Sequence, residues 1–205
     1  ENCNNKMTAL DKLGTLILAS KSPRRKEILN KMDLNFKVIP SDVIEDLDKT
    51  DPPTFVRRCA IKKAKKVSLL NKQSYVIGAD TVVVLNGALL EKPQDKIESR
   101  EMLRMLSGQI HNVFSGVSIQ NAEKNIKQSF FCKTVVELNH YSDDVIDFYI
   151  KNYKPFDKAG SYGIQDWFSS QIKKIDGCYY NVMGLPLSKV FKCLYDLSMN
   201  NFSKD

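Results

Sequence analysis

Ser74-Tyr-Val-Ile-Gly-Ala-Asp-Thr-Val-Val-Val-Leu85 is the stretch whose reading decides the fold. It is almost wholly apolar and rich in β-branched residues, the pattern of a central strand buried on both faces. One carboxylate, Asp80, interrupts it. A charge inside such a run needs a partner or a task. Asp80 is therefore expected to face a cleft, where it would bind a cation or activate water; the plainer alternative is a core carboxylate bonded to Thr81 or to backbone amides. Gly78 leaves room beside it for close approach by a ligand or by backbone. Asn86-Gly87 then signals a hairpin that returns through Leu89, Leu90 and Glu91 to Lys92-Pro93.

Upstream lies Leu16-Ile-Leu-Ala-Ser-Lys-Ser-Pro-Arg-Arg-Lys-Glu-Ile-Leu29. Its apolar start predicts a short buried strand, and Ser22 and Pro23 suit the N-cap and first position of a helix. Arg24 and Arg25 then fall in the first turn, where the helix dipole disfavours cations by roughly 0.3–1 kcal/mol each. Stability alone would not place them there. A polyanion site would, because amides, the hydroxyls of Ser20 and Ser22 and two guanidinium forks converge on one small volume. The competing reading is a hydrated, solvent-facing cap. Asn35–Pro40 reads as a second short strand and Ser41–Pro53 as an acidic loop containing Glu45. Thr54 to Lys72 reads as a long amphipathic helix bearing Lys62 and Lys63.

Downstream, Lys96–Leu106 is expected to be a helix closed by Ser107-Gly108. Gln109–Gln120 and Asn125–Leu138 alternate like antiparallel strands. Ser142–Asn152 is expected to be helical, Lys154–Gln165 irregular, Ile172–Val182 strand and loop, and Leu185–Leu197 a terminal helix. Strand and helix alternate first and a hairpin follows, so the class is α/β, of the mixed α+β kind. Residues 1–13, polar and Asn-rich at the start, are expected to be a flexible leader, with residues 14–200 forming a single catalytic domain.

The 205 residues suffice for a substantial core. Net charge is +7, from 31 Lys and Arg against 24 Asp and Glu, but it is spread along the chain with no basic tail, the mark of a solvated surface. Five scattered cysteines form no C-x-x-C pair, so neither a disulfide framework nor a zinc site is suggested. Unpaired thiols fit a reducing, cytoplasmic compartment. No apolar run approaches the ~20 residues that span a bilayer, and neither phosphate-loop nor dinucleotide glycine motifs occur. His111 and His140 lack a Ser or Cys in a nucleophile setting, and His111 is expected to be a structural hydrogen-bond donor. Asp80 and Glu45 are oxygen ligands of the kind Mg²⁺ or Mn²⁺ takes, with phosphates completing the shell. Lys63 and Lys92 would neutralise further phosphate charge. Together these residues describe a metal-assisted hydrolase of a phosphate ester or anhydride.

Six blocks sharpen this: Ala19-Ser-Lys-Ser-Pro-Arg-Arg25, Ile77-Gly-Ala-Asp-Thr-Val-Val83, Glu91-Lys-Pro93, Leu106-Ser-Gly-Gln-Ile-His111, Lys158-Ala-Gly-Ser-Tyr-Gly-Ile-Gln165 and Asn181-Val-Met-Gly-Leu-Pro-Leu187. In this order they resemble the Maf family of nucleoside triphosphate pyrophosphatases. The resemblance implies a two-lobed Maf/ITPase-like fold with a central mixed sheet and a cleft, and a homodimer. It implies hydrolysis of the α–β anhydride of a nucleoside triphosphate to a monophosphate and pyrophosphate with a divalent metal. On the matching positions, Ser20, Arg24 and Arg25 would bind phosphate, with Ser22 beside them in the cradle read from the residues themselves. Asp80 would be the general base and a metal ligand, Glu45 an acidic residue on the metal side, and Lys63 (or Lys62, one register away) and Lys92 the family's two lysines. Arg24, Thr81 and Gln165 look like the branch acting on dTTP, UTP and modified uridine nucleotides, a house-cleaning activity. The sister branch prefers 7-methyl-GTP, and a purine-directed enzyme is the nearest alternative. A nucleic-acid or partner-binding protein of cell-division arrest is a more distant one, and neither nucleic acid nor membrane is an expected partner. Two positions depart from the pattern. Asp166-Trp167-Phe168 replaces small residues after Gln165, and Ser115 replaces a threonine before Gly116.

Overall fold

The computed structural model describes residues 10–43 and 51–200. The elements run β1 (Leu16–Leu18), α1 (Pro23–Asn30), β2 (Phe36–Val38), α2 (Pro52–Leu70), β3 (Tyr75–Leu85), β4 (Ala88–Leu90), α3 (Lys96–Leu106), β5 (Ile110–Asn121), β6 (Ile126–Leu138), α4 (Asp143–Tyr153), β7 (Ile172–Asp176), α5 (Tyr179–Met183) and α6 (Leu187–Asn200). Three short 3₁₀ turns occupy the irregular segment between α4 and β7. The strands form one seven-stranded mixed sheet in the order β2-β1-β3-β5-β6-β7, with β4 also paired to β3. The β2-β1-β3 part is parallel, as a strand–helix–strand chain requires, and the remainder is antiparallel. The mixed α/β class expected from the sequence is the class observed.

As its unbroken apolar composition predicts, β3 is buried along nearly its whole length on both faces. Alternation sends Val76, Gly78, Asp80, Val82 and Val84 to one face and Tyr75, Ile77, Ala79, Thr81, Val83 and Leu85 to the other. Helix α2 covers the first face, packing Phe55, Val56, Cys59, Ala64 and Val67 against it. Helices α1, α3, α4 and α6 build the larger core on the second. That larger core includes Leu10 and Leu13, each 3% exposed. The expected leader therefore does not extend to residue 13: two apolar side chains anchor the chain from residue 10 onward.

Register creates the feature that matters for function. β1 pairs only with Tyr75–Ile77 of β3, and β4 pairs only with Val83–Leu85. Both lie on the edge of β3 opposite β5, which pairs with Val76–Val84. Residues 78–82 therefore border a notch in the sheet, where side chains from both faces approach the same opening. Asn86 and Gly87, with φ of 49° and 83°, make the tight turn that brings β4 back to close the notch on one side.

Candidate active site

The notch opens into a cleft of about 400 Å³ lined by the Ala19–Arg25 loop, Lys63, Thr81, Lys92, Asp157–Ala159, Tyr162, Gln165 and Val182–Gly184, among others. That volume lies within the range of small-molecule sites. Of the residues singled out from the sequence, Ser20, Ser22, Arg24, Arg25, Lys63, Thr81, Lys92 and Gln165 all line it. Glu45 lies outside the described residues.

From the α2 side, Lys63 Nζ donates to Asp80 Oδ1 at 2.7 Å. Asp80 is 5% exposed, so this is a buried carboxylate with a cation against it. Lys62 is exposed on the neighbouring helix face, and Lys63 is the lysine that reaches the cleft. Close packing makes this possible. A Cβ on Gly78 would stand 2.5 Å from the Ala60 carbonyl oxygen and 2.6 Å from Ala64 N, so α2 rests directly on the strand backbone.

From the other face comes Arg25. Its Nε donates to the Gly184 carbonyl at 2.9 Å, Nη1 to Ser20 Oγ at 3.2 Å and Nη2 to Thr81 Oγ1 at 3.1 Å. These neutral acceptors orient the guanidinium. Gly184 can present its carbonyl there because it ends α5 in the left-handed region, at φ +117°. The chain of contacts continues inward: Thr81 Oγ1 lies 2.8 Å from Ser115 Oγ, which donates to the Asn181 carbonyl at 3.1 Å. Asn181 in turn donates to Val113 O and Thr134 Oγ1, both at 3.0 Å. Ser115 thus supplies the hydroxyl that a threonine would, and the departure from the family pattern is conservative at this position.

The Ser20–Arg25 loop is more self-contained than its composition suggests. Ser22 caps α1 as expected, its Oγ accepting from Arg25 N at 3.4 Å, and Ser20 Oγ accepts from Ser22 N at 3.2 Å. Two of the amides expected to meet a ligand are already bonded within the loop. The cation contribution to the cleft therefore weighs more than the amide contribution. Arg24 does not splay into solvent either. Its Nη1 donates to Asp157 Oδ2 and its Nη2 to the Asp157 carbonyl at 2.9 Å.

Asp157 and Lys158 are the cleft residues that sequence reasoning missed as individuals. Lys158 Nζ donates to Asp157 Oδ1 at 2.8 Å. Burial pushes the Asp157 carboxyl up, but Lys158 and Arg24 outweigh it and hold the group below the usual carboxylate range. It is ionised at neutral pH. The available signal was Lys158 itself, which opens the block that ends in Gln165.

Gln165 lines the cleft with its Oε1 buried and without a hydrogen-bond partner among the described residues. Asp166, Trp167 and Phe168 do not line it. Trp167 packs on Phe148, Tyr149 and Tyr153, and Phe168 on Tyr141, Tyr149 and Tyr162. The bulky departure fills core on the α4 side and leaves the cleft open. Asp166 fastens it: its carboxylate accepts from Tyr149 OH at 3.0 Å and Phe168 N at 3.0 Å, while Gly163 N donates to Tyr149 OH at 3.0 Å. Tyr149→Phe strands that buried amide and one carboxylate bond, with an expected cost of about 1–3 kcal/mol. The measurement is a urea titration, whose midpoint falls at unchanged slope; an unmoved midpoint shows that the clamp contributes nothing.

His111 is 0% exposed, with Nε2 2.7 Å from Tyr162 OH behind the cleft wall. Burial lowers its pKa to about 4, so it stands as a neutral structural ring. Among the described residues no group of three His, Cys, Asp or Glu could hold a metal ion, and no helix is long and apolar enough to cross a membrane. The described cysteines Cys59, Cys132, Cys178 and Cys193 are all thiols.

The family model described as Maf-like protein matches residues 15–197. The chain is 40% identical over 193 residues to a protein of Porphyromonas gingivalis named dTTP/UTP pyrophosphatase, covering 91% of this chain and 96% of that one. It is 43% identical over 189 residues to the protein of that name from Thermosipho africanus, covering 92% and 96%. A solved nucleoside-triphosphatase, the dITP/XTP pyrophosphatase of Mycobacterium abscessus, shows a partial likeness at TM-score 0.41 and 11% identity, covering 60% of this chain and 74% of that one.

Proposed function

The chain belongs to the Maf-like family, and from that premise we propose that its cleft hydrolyses dTTP and UTP, with their modified uridine and thymidine analogues, to the monophosphate and pyrophosphate. The observation that carries this reading is the meeting of two cation systems from opposite faces of one sheet. Lys63, which pairs with Asp80, and Arg25, which donates to Thr81, line the same cleft. A triphosphate is a polyanion of the kind these cations attract.

In the reaction, water forms a bond to the α-phosphorus as the bond from that phosphorus to the α–β bridging oxygen breaks. Asp80 takes the proton of the attacking water, and pyrophosphate leaves with the bridging oxygen. Lys63 is placed both to pair with Asp80 and to meet the charge that builds on phosphate oxygens. Arg25 and Lys92 add to that stabilisation, worth most inside a cleft poor in water. Ser20, Ser22 and Arg24 complete the phosphate side.

The donor set fits a divalent ion that arrives with its nucleotide. Such an ion takes one or two carboxylates and completes its shell with phosphate oxygens and water, so Asp80 suffices among the described residues. Mg²⁺ or Mn²⁺ would supply Lewis-acid stabilisation of the phosphoryl oxygens. Gln165, with an acceptor that has no hydrogen-bond partner among the described residues and an amide that donates, matches the N3–H and O4 edge shared by uracil and thymine. Family resemblance adds a homodimer, and the thiols fit a cytoplasmic location.

The test is pyrophosphate release from dTTP, UTP, 5-methyl-UTP, CTP, GTP, 7-methyl-GTP and ITP with Mg²⁺ or Mn²⁺. Metal-dependent turnover led by dTTP or UTP is expected. A purine at the head of the panel would keep the chemistry and overturn the pyrimidine assignment, and silence throughout would overturn the enzymatic reading.

A further inference from the structure

Arg24 stands in the first turn of α1, on the phosphate side of the cleft, and Lys158 stands 134 positions later on the segment that leads to Gln165. One carboxylate joins them. Asp157 accepts from Arg24 through Oδ2 and its main-chain carbonyl and from Lys158 through Oδ1. We propose that Asp157 is a positioning residue for the nucleotide: it holds Arg24 and Lys158 together at the cleft, so that the phosphate loop and the Gln165 segment keep a fixed relation across one bound substrate.

The donor arithmetic permits this. A guanidinium has five N–H donors and an ammonium three; Asp157 takes two from Arg24 and one from Lys158. Both cations keep donors for phosphate oxygens while their side chains are immobilised. Lys158 has little freedom to wander, because its stem passes Gly163. A Cβ there would lie 3.0 Å from Lys158 Cε and 2.4 Å from Asp166 Oδ2. The Gln165 segment is thus gripped on one flank by Asp166 with Tyr149 and on the other by the Lys158 stem. Two flexible side chains fixed before binding lose less freedom when the substrate arrives.

This inference rests on the pyrophosphatase reading, and its test separates the two. Kinetics on UTP and isothermal titration with inorganic tripolyphosphate would be run on wild type, Asp157→Asn, Arg24→Ala and the double variant. Asp157→Asn is expected to raise KM for UTP about tenfold while kcat falls less than threefold, and to weaken tripolyphosphate binding. In the Arg24→Ala background the same change should raise KM by less than it does in wild type, because only Lys158 is then left to position. Asp157→Glu should recover part of the lost KM. Unchanged KM, tighter tripolyphosphate binding in Asp157→Asn, or full additivity with Arg24→Ala would overturn the proposal: Asp157 would then be a bystander or a charge that repels the ligand. A wild type inactive on every nucleotide defeats the pyrophosphatase reading instead, and the tripolyphosphate titrations still decide whether Asp157 positions the cations.

Discussion

Asp80→Asn is expected to lower kcat for pyrophosphate release by roughly 10²–10⁴-fold, the range a positioned general base contributes, with KM changed far less. The substitution keeps size and shape but removes the proton acceptor. It also removes the negative partner of Lys63 in a site where the carboxylate is 5% exposed. An amide offers Lys63 one neutral oxygen, so some loss of stability accompanies the loss of rate, because breaking a buried ion pair from one side is costly. The two effects separate cleanly. Rate is measured at saturating dTTP or UTP well below the unfolding temperature, and folding is followed by circular dichroism. A folded Asp80→Asn protein that retained more than a tenth of wild-type kcat would show that Asp80 is an ion-pair partner and not the base.

The residues that sequence alone placed correctly are those whose role is local. The uninterrupted apolar run identified β3, because burial on both faces leaves no room for polar alternation. Ser22 and Pro23 located the start of α1, because capping and a fixed φ act within one turn. Lys63 could be narrowed only to a pair with Lys62, since adjacent helix positions diverge by about 100° and the packed face decides between them. What stayed hidden depends on distant partners. The fork of Arg24 on Asp157 joins residues 133 apart, and no spacing rule announces it. The notch beside Asp80 comes from strand register: three residues of β1 and three of β4 share an edge with an eleven-residue strand. Trp167 and Phe168 follow Gln165 in sequence yet do not line the cleft, because the side to which a loop residue turns is set by α4, not by its neighbours in sequence.

Gly116→Ala is the substitution expected to cost the most stability, about 3 kcal/mol, at the upper end of ordinary overpacking. Gly116 sits on β5 opposite Asp80, and a Cβ there would stand 2.2 Å from the Val56 carbonyl oxygen, 2.3 Å from Val56 C and 2.6 Å from Arg57 N. All three atoms are helix backbone, so no rotamer change relieves the clash, and α2 must lift from the sheet as a body. Lys63 lies seven residues beyond Val56, two turns along the same face, so the same displacement pulls its ammonium from Asp80. Melting temperature should fall by roughly 6–12 °C for a chain of this size, and kcat should fall in the folded fraction as well. Gly87→Ala is the control. That turn glycine, at φ +83°, has nothing within 4 Å of its Cβ position, so the substitution meets only backbone strain, about 1 kcal/mol, and leaves the seating of α2 untouched. If Gly116→Ala melted within a degree of wild type, the direct seating of α2 on the strand backbone could not be what brings Lys63 to Asp80.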